Sequence, residues 1–414
     1  MSFEWRSSTL GEFVRLQRGH DLTASEQQPG DIPIMGSAGP NGTHSTALAN
    51  GPGVVVGRSG ASAGRVHFSE VDYWPHNTCL YVTDFLSNSP RFAYYLLQTL
   101  DLASFNSGSA QPSLNRNFLY AIPVRIPARV EQDGIVALLQ SLDDRITLLR
   151  ETNATLEAIA QALFKSWFVD FDPVRAKLEG RATLSLAEAT AALFPDSFEK
   201  SELGLVPRGW RVLPIGDAVE AVGGATPDTK IPAYWEPAIH CWTTPKDLSG
   251  IAAPVLLDTE RKLSDQGLAK IGSGALPVGT LLLSSRAPIG YLALAQVPLA
   301  INQGYIAMPP GGLLPPLFML FWCRQNMENI KGRANGSTFM EISKKAFRPI
   351  PALVPPPEVV QAFAAVADAL FNRLIENEKQ AHTLATLRDT LLPRLLSGQL
   401  RLPEAQAAAE EALA

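Results

Sequence analysis

The chain contains an internal repeat with an offset of 228 residues. The segment GSAQPSLNRNFLYAIP, which begins at Gly108, aligns without a gap on GSTFMEISKKAFRPIP, which begins at Gly336. The same offset relates positions of a long helical stretch in the two copies: Ile135 to Phe363, Leu142 to Leu370, Arg145 to Arg373, Leu156 to Leu384 and Leu163 to Leu391. A duplicated module that ends in a long helix predicts an object with approximate two-fold symmetry, which would suit a two-part target.

Length and composition limit the class of protein. With 414 residues, of which 46% are hydrophobic, the chain is long enough for two or three domains with proper cores. No apolar run reaches the roughly 18 residues of a membrane span, and the N-terminal sequence MSFEWRSSTL has no secretory pattern. We therefore expect a cytoplasmic protein without a membrane partner.

The cysteines and the charges indicate neither a metal site nor a general polyanion binder. Cys79, Cys241 and Cys323 are far apart and are expected to be reduced core residues. The net charge of −5 argues against nonspecific binding to nucleic acid. However, residues 324–348 hold six basic side chains and two acidic ones, so basic surface is available locally.

Each copy has the same order of parts. It begins with a Trp-Arg pair, at Trp5 or Trp210, and continues into short glycine-bounded apolar runs at residues 53–58 and 279–286, which predict buried strands that lead into loops. A helical pattern then follows a proline, over residues 90–105 in the first copy and 316–330 in the second. The aromatic residues of the first pattern are at helical spacing, which favours core packing over base stacking: Phe92, Tyr94 and Tyr95.

A heptad pattern ends each copy. In the first copy, apolar residues recur every seven positions from Ile135 to Leu163, which predicts a coiled-coil helix of about 35 residues and about 50 Å. The second copy repeats the pattern from Phe363 to Leu391. Asn153 and Asn377 interrupt the apolar seams, either as solvated positions where the helices fray or as buried residues that fix the register.

These patterns divide the chain. We predict a first module at residues 1–128, a coiled-coil helix at 129–170, a connector at 171–205 with one short helix near residues 184–193, a second module at 206–355, a second coiled-coil helix at 356–400 and a frayed tail at 401–414. No GxxxxGK[ST] phosphate loop, HExxH motif, CxxC pair or NPPY tetrapeptide is present in the sequence. The chain is therefore expected to have no active site and to bind no cofactor or metal itself.

Three segments carry a family resemblance. LFKSWFVDFDPVRAKLEG at residues 163–180, SELGLVPRGWRV at 201–212 and LRDTLLPRLLSGQL at 387–400 resemble the central and C-terminal signatures of the specificity subunits of type I restriction-modification enzymes. The resemblance implies an α+β fold in which two long antiparallel coiled-coil helices, related by pseudo-two-fold symmetry, separate two target recognition domains. Each domain would recognise one half of a split DNA sequence, and the helices would set the spacer.

The resemblance also implies partners. Two modification subunits would bring S-adenosylmethionine and methylate adenine N6 in double-stranded DNA, and two restriction subunits would bring ATP and Mg²⁺. The modification subunits would dock on the outer faces of the helices and on Trp167, Phe168 and Phe171, although those aromatic residues could instead close the protein core. Two alternatives are a coiled-coil scaffold whose modules bind proteins, which would not require the basic stretch at residues 324–348, and a self-sufficient DNA enzyme.

Base recognition requires exposed side chains with matched donors and acceptors. The candidates of the first module are Arg58, Ser59, His76, Asn77, Asn115 and Arg116, and those of the second are Arg286, Asn302, Gln303, Lys331, Arg333, Asn335, Lys344 and Lys345. The lysines and Arg333 are better suited to phosphate contacts. Asn77 and Asn302 occupy corresponding positions in the sequence, which favours a structural role for both.

Overall fold

The computed structural model describes residues 5–105, 113–181, 186–336 and 340–413. Residues 108–112 and 337–339 of the repeated segments lie outside the described residues. The chain forms two compact units, one of residues 1–147 with 381–414 and the other of residues 148–380. Each unit contains one module and parts of both long helices.

Short strands and short helices build the first module. They are β1 (Arg6–Thr9), α1 (Leu10–Phe13), β2 (Arg15–Arg18), β3 (Ile32–Gly36), β4 (Gly39–His44), β5 (Gly53–Gly57), β6 (Val66–Ser69), β7 (Trp74–Pro75), β8 (Cys79–Asp84), α2 (Pro90–Thr99), α3 (Arg116–Leu119) and β9 (Pro123–Ile126). The strands form the sheets β2-β8-β5-β6 and β4-β3-β7 and the antiparallel pair β1-β9. Every residue of β5 is buried, as its uninterrupted apolar sequence predicts.

A long helix and a connector follow the first module. They comprise α4 (Arg129–Phe168), α5 (Asp172–Leu178), α6 (Glu188–Ala192), β10 (Phe198–Ser201) and β11 (Gly204–Pro207). The short helix α6 lies inside the predicted range of residues 184–193, of which 184 and 185 are outside the described residues. The antiparallel hairpin of β10 and β11 was not predicted.

The second module has the same plan. Its elements are β12 (Arg211–Pro214), α7 (Ile215–Ala218), β13 (His240–Thr243), β14 (Val255–Leu256), β15 (Arg261–Leu263), α8 (Asp265–Leu268), β16 (Leu281–Ser284), β17 (Leu292–Ala295), β18 (Leu299–Ile301), β19 (Tyr305–Met308), α9 (Pro316–Gln325), α10 (Met327–Gly332), α11 (Lys344–Phe347) and β20 (Pro351–Val354), followed by α12 (Pro357–Leu396) and α13 (Leu402–Leu413). The sheets are β14-β17-β16-β19 and β15-β13-β18, with the antiparallel pair β12-β20.

The duplication is confirmed element by element. The pair β1-β9 and the pair β12-β20 have the same register, since Arg6 lies opposite Ile126 and Arg211 lies opposite Val354. Both long helices have 40 residues, and their bounds differ by the repeat offset of 228. The shared frame therefore includes the strand at the start of each module, the strand at its end and the helix that follows.

The tryptophan at the start of each module has a structural role. In the first unit, Gly398 approaches the indole of Trp5, because a Cβ at Gly398 would lie 3.1 Å from the ring. In the second unit, Trp210 packs against Phe168 and Phe171, with ring centroids 6.0 Å apart in both pairs. In each unit, the tryptophan thus packs beside the C-terminal end of a long helix.

The helix predicted within each module is shorter than expected. In the first, α2 ends at Thr99, and a separate 3₁₀ turn covers Leu102–Phe105. In the second, Asn326 leaves helical geometry and separates α9 from α10, while its side chain donates to the Trp322 carbonyl at 2.9 Å. Phe92 and Tyr95 are buried, which confirms core packing for them, and Tyr94 is half-buried.

The tail prediction was wrong. Residues 402–413 form α13, in which Ala405 and Ala409 are buried. Leu402 packs so closely on α4 that its Cδ2 atom lies 2.6 Å from the place where a Cβ at Gly134 would stand. Alanines spaced four apart let a helix pack closely against its neighbour, so this segment folds rather than frays.

The two interrupting asparagines are buried and bonded to each other. Asn153 and Asn377 are each 2% exposed, and the Asn377 amide nitrogen donates to the Asn153 amide oxygen at 3.0 Å. The Asn153 amide nitrogen donates to Glu378 at 3.3 Å. A polar pair inside an apolar seam is satisfied only in one alignment of the two helices, so the register role is favoured over fraying.

Replacement of Asn153 by leucine is expected to lower the free energy of unfolding by about 1.5 kcal/mol, because Asn377 keeps its burial and loses its partner. The double variant Asn153→Leu/Asn377→Leu should be more stable than either single variant. Urea denaturation of the wild type, both single variants and the double variant measures the coupling. Additive effects of the two changes would contradict the pairing.

Among the described residues, no helix is both long enough and apolar enough to cross a membrane. The cysteines are free thiols, with Cys79 and Cys323 buried. Burial raises the pKa of Cys79 to about 12. These observations agree with core roles for Cys79 and Cys323, whereas Cys241 is only half-buried.

Candidate DNA interface

The loop after β5 is fixed between two other loops of the first module. The Arg58 amide donates to the Thr78 carbonyl, and the Leu114 amide donates to the Arg58 carbonyl, both at 2.9 Å. Ser59 forms a backbone bridge with Ser113. The structure therefore brings together the predicted residues that follow β5, precede β8 and begin α3.

A cleft of about 700 Å³ lies on this face of the first module. Its polar lining includes three predicted residues, Arg58, Asn115 and Arg116, and five that were not predicted, Gln17, Arg18, His20, Asp21 and Ser113. The cleft is open, and three arginines border it. It therefore offers guanidinium donors to an anionic or acceptor-rich ligand.

Some predicted residues of the first module have local structural partners. The Asn115 amide oxygen accepts from the Asn117 amide at 3.0 Å and caps α3. His76 Nδ1 is 3.0 Å from the Thr78 hydroxyl. Arg58 donates to the Asn77 carbonyl at 3.4 Å, and Arg116 donates to the Leu16 carbonyl at 3.2 Å. Each guanidinium has five N–H groups, so both arginines keep donors for a ligand.

The side chain of Asn77 is held by an acid. Its amide nitrogen donates to the carboxylate of Asp21, and Arg18 Nη2 lies 3.5 Å from the same carboxylate oxygen. The Asp21 side chain is 75% exposed, so this polar chain faces solvent.

In the second module, Arg286 lies beside an acid. Arg286 Nη1 is 3.7 Å from Glu341 Oε2, and the backbone of Glu341 exchanges two hydrogen bonds of 3.0 Å with Asn335. A cleft of about 410 Å³ is lined by Arg286, Asn302 and Lys246 among others. The hydrogen bond with Glu260 raises the pKa of Lys246, which keeps this side chain cationic. Lys246 was not predicted.

The remaining cations of the second module have different positions. Lys331 reaches the loop after β16, since its Cε lies 3.7 Å from where a Cβ at Gly290 would stand. Lys344 packs near Gly223, since its Nζ atom lies 3.2 Å from where a Cβ at Gly223 would stand. Arg333 donates to the Asn329 side chain at 3.1 Å, and Lys345 is exposed on α11. The exposure of the three lysines fits phosphate contacts, as their chemistry predicts.

Backbone hydrogen bonds define which loop residues of the two modules correspond. The Ser285 amide donates to the Gly304 carbonyl at 2.8 Å, which matches the bond from Arg58 to Thr78. The structural counterpart of Arg58 is therefore Ser285, and that of Ser59 is Arg286.

A second pair of backbone bonds corrects the asparagines. The Ala225 amide donates to the Ile301 carbonyl at 3.0 Å, and the His20 amide donates to the Pro75 carbonyl at 2.7 Å. Consequently Asn302 corresponds to His76, and Gln303 corresponds to Asn77. The predicted equivalence of Asn77 and Asn302 was wrong by one residue.

The two modules thus have one backbone plan and different side chains at matching positions. The matched pairs are Arg18 with Gly223, Asp21 with Thr226, Arg58 with Ser285, Ser59 with Arg286, Asn77 with Gln303, Asn115 with Ser343 and Arg116 with Lys344. Asn115 and Ser343 both cap the short helix that follows them. Asn77 and Gln303 are both amides, and Arg116 and Lys344 are both cations. At the other four matched positions the side chains differ in charge or in hydrogen-bonding groups.

Both copies of the repeat match one known protein family. Residues 3–158 and 207–384 match the family described as the type I restriction modification DNA specificity domain. The chain belongs to the type I restriction-modification DNA specificity family. The specificity subunit of the type I restriction enzyme MjaIX from Methanocaldococcus jannaschii is 36% identical over 189 residues, which are 45% of this chain and 43% of that protein.

Two further comparisons cover more of the chain. The HindI specificity subunit of Haemophilus influenzae is 26% identical over 359 residues, which are 75% of this chain and 77% of that protein. A crystal structure of a type I restriction-modification S subunit from M. genitalium has a TM-score of 0.61 at 16% identity, covering 95% of this chain and 96% of that one. The second likeness supports the fold of this specificity subunit.

One sequence signal could have pointed to Arg18 and His20. The run RLQRGH at residues 15–20 has arginines at 15 and 18 and a glycine at 19, and a glycine that follows a short run of this kind is typical of a strand that leads into a loop. No local signal marked Asp21, Thr226 or Lys246. Two expected docking residues are unavailable, because Trp167 and Phe168 are buried in the core of the second unit, with Phe171 packed against it. Among the described residues, no group of three or more His, Cys, Asp and Glu is placed to hold a metal.

Proposed function

We propose that the chain is the noncatalytic subunit that gives a type I restriction-modification complex its DNA sequence specificity, with each module recognising one half of a split site. The family match to both copies carries this proposal. The matched faces support it, since a common backbone with different polar side chains is suited to two different half-sites.

The chemistry of the faces fits duplex DNA. Arginine pairs with guanine O6 and N7, and the amides of asparagine and glutamine can donate to and accept from base edges, so Arg58, Arg286, Asn77 and Gln303 are the residues that we assign to base recognition. Arg116, Lys331, Lys344 and Lys345 would contact phosphates and give affinity without sequence choice. A coiled-coil scaffold for protein partners is not favoured, because the family match includes both modules.

The long helices would set the spacer and bind the modification subunits. At about 1.5 Å per residue, a helix of 40 residues is about 60 Å long, compared with about 34 Å for one turn of B-DNA. Exposed apolar residues on α4 and α12 offer contact area outside the helix pair: Val130, Leu148, Ile159 and Val366. The modification subunits would supply S-adenosylmethionine and the methyl transfer to adenine, and the restriction subunits would supply ATP and Mg²⁺ chemistry.

The proposal is tested by co-expression of the chain with its modification subunit and mapping of N6-methyladenine in plasmid DNA. We expect a split motif. Arg58→Ala should reduce discrimination at one base pair of one half-site by about tenfold, and Arg286→Ala should do the same in the other half-site only.

Arg208→Ala provides a matched control, because this exposed arginine lies in the connection to β12, outside both clefts. It should leave the motif unchanged. An unsplit motif, or an effect of Arg58→Ala on both half-sites, would overturn the proposal.

A further inference from the structure

Two side-chain amides occupy matching positions in the two modules. Each forms a hydrogen bond with a side chain whose position also matches between the modules. In the first module, the amide nitrogen of Asn77 donates to the carboxylate of Asp21. In the second, the amide oxygen of Gln303 accepts from the hydroxyl of Thr226 at 2.6 Å. Asp21 and Thr226 correspond structurally, as do Asn77 and Gln303, by the backbone bonds described above.

The two contacts turn the amides in opposite senses. A carboxylate has only acceptors, so the nitrogen of Asn77 must face Asp21 and the oxygen is left for a ligand. A hydroxyl can donate or accept. Here the hydroxyl of Thr226 donates to the oxygen of Gln303, an orientation that a carboxylate would exclude, so both N–H groups of Gln303 are left. The first module therefore offers an acceptor where the second offers donors.

Both groups are accessible. Gln303 and Thr226 are exposed, Asn77 is half-buried, and Asp21 is exposed beside Arg18. The amides also adjoin the residues that we assign to base recognition, because Arg58 donates to the Asn77 carbonyl. The position is thus open to a base edge in a groove.

Resting on the proposed function, we propose that Asp21 and Thr226 influence base specificity through the orientation of the neighbouring amide: Asp21 excludes the orientation of Asn77 with its oxygen inwards, whereas Thr226 admits that orientation for Gln303. The first module would present the oxygen of Asn77 to a base with an exocyclic amino group in the major groove, which is adenine or cytosine. The second module would present the nitrogen of Gln303 to a base with a carbonyl acceptor, which is guanine or thymine. Asp21 and Thr226 are positioning residues, since they act through the amides.

Exchange of the two positioning residues tests the inference. The complex of the chain with its modification subunit is used to select sites from a randomised duplex DNA library, which is then sequenced. Asp21→Thr replaces a carboxylate, which can only accept, by a hydroxyl, which can also donate, so Asn77 is no longer held in one orientation. The preference of one position of the first half-site for adenine or cytosine over guanine or thymine is expected to fall by about tenfold. Thr226→Asp should shift one position of the second half-site in the opposite direction, because a carboxylate forces the nitrogen of Gln303 inwards.

Controls separate a specificity role from a structural role. Asp31→Asn removes an exposed carboxylate elsewhere on the first module and should change neither half-site. If Asp21→Thr lowers binding uniformly for all sequences, Asp21 only supports the loop and the inference is wrong.

The outcome is distinct from failure of the proposed function. If the wild-type complex selects no split site, the proposed function itself fails. If it selects one, and Asn77→Ala relaxes the first half-site while Asp21→Thr leaves it unchanged, Asn77 recognises DNA without orientation by Asp21. A base preference that moves with the exchanged residue supports the inference.

Discussion

Replacement of Phe363 by alanine is expected to lower the free energy of unfolding of the second unit by about 4 kcal/mol. The side chain is 1% exposed and is the centre of an aromatic cluster. Its ring centroid lies within 6.2 Å of five others, those of Phe164, Trp167, Phe168, Phe318 and Phe321. These rings belong to α4 and α9, so Phe363 joins the second module to both long helices.

The measurement is chemical denaturation followed by tryptophan fluorescence, because Trp167 belongs to the cluster. Phe118→Ala removes a ring of the same size that is 53% exposed and should cost less than about 1 kcal/mol. Equal losses from the two variants would show that the cluster does not join the module to the helices.

Replacement of Arg388 by alanine is expected to cost about 2 to 3 kcal/mol in the first unit. Arg388 Nη1 lies 2.7 Å from Asp143 Oδ1, and the Tyr95 hydroxyl donates to Asp143 Oδ2 at 2.6 Å. The side chains of Arg388 and Asp143 are 29% and 32% exposed. Burial alone would lower the pKa of Arg388, but the bonds to Asp143 and Asp389 raise it overall, so the guanidinium stays charged. Its loss leaves Asp143 partly buried without its cation.

The second unit shows how this polar triad can be replaced. The positions that match Tyr95, Asp143 and Arg388 hold Phe321, Phe371 and Ala160, by offsets of 226 residues between α2 and α9 and 228 between the long helices. Phe321 and Phe371 pack edge to face with centroids 5.7 Å apart.

The triple variant Tyr95→Phe/Asp143→Phe/Arg388→Ala is therefore expected to recover most of the stability lost in Arg388→Ala. Urea denaturation of the wild type, the single variant and the triple variant measures both changes. A triple variant that is less stable than the single one would contradict the equivalence of the two sites.

The long helices were the part of the fold that the sequence predicted best. Their heptads gave the bounds within four residues, because burial of one helical face requires that period. The buried seam differs in part from the predicted one. Leu156 and Leu163 are only half-buried, whereas Ala160 and Phe164 are buried, since the aromatic cluster of the second module changes which face of α4 is covered.

For the loops of the candidate interface, the sequence predicted which segments were involved but not how hydrogen bonds position them. Arg58, Asn115 and Arg116 were predicted as candidates for base recognition, and the structure brings them to one cleft. The predicted correspondence of Asn77 with Asn302 was wrong by one residue, because loop register depends on hydrogen bonds between segments far apart in the chain. The contact of Asp21 with Asn77 joins residues 56 positions apart, and no local pattern encodes it.

The unequal triads have a consequence for how the two copies choose partners. Consider a homodimer of the first copy, paired through its long helix. Asp143 of one chain would then lie beside Ala160 of the other and would have no cationic partner. In a homodimer of the second copy, Arg388 would lie beside Phe371 and would have no carboxylate partner. Only the mixed arrangement of one first copy and one second copy satisfies both sites, as it does within this chain. Each copy therefore favours the other copy over a second one of its own kind. If the polypeptide is divided between its copies, the two halves are expected to reassemble as a heterodimer rather than as two homodimers.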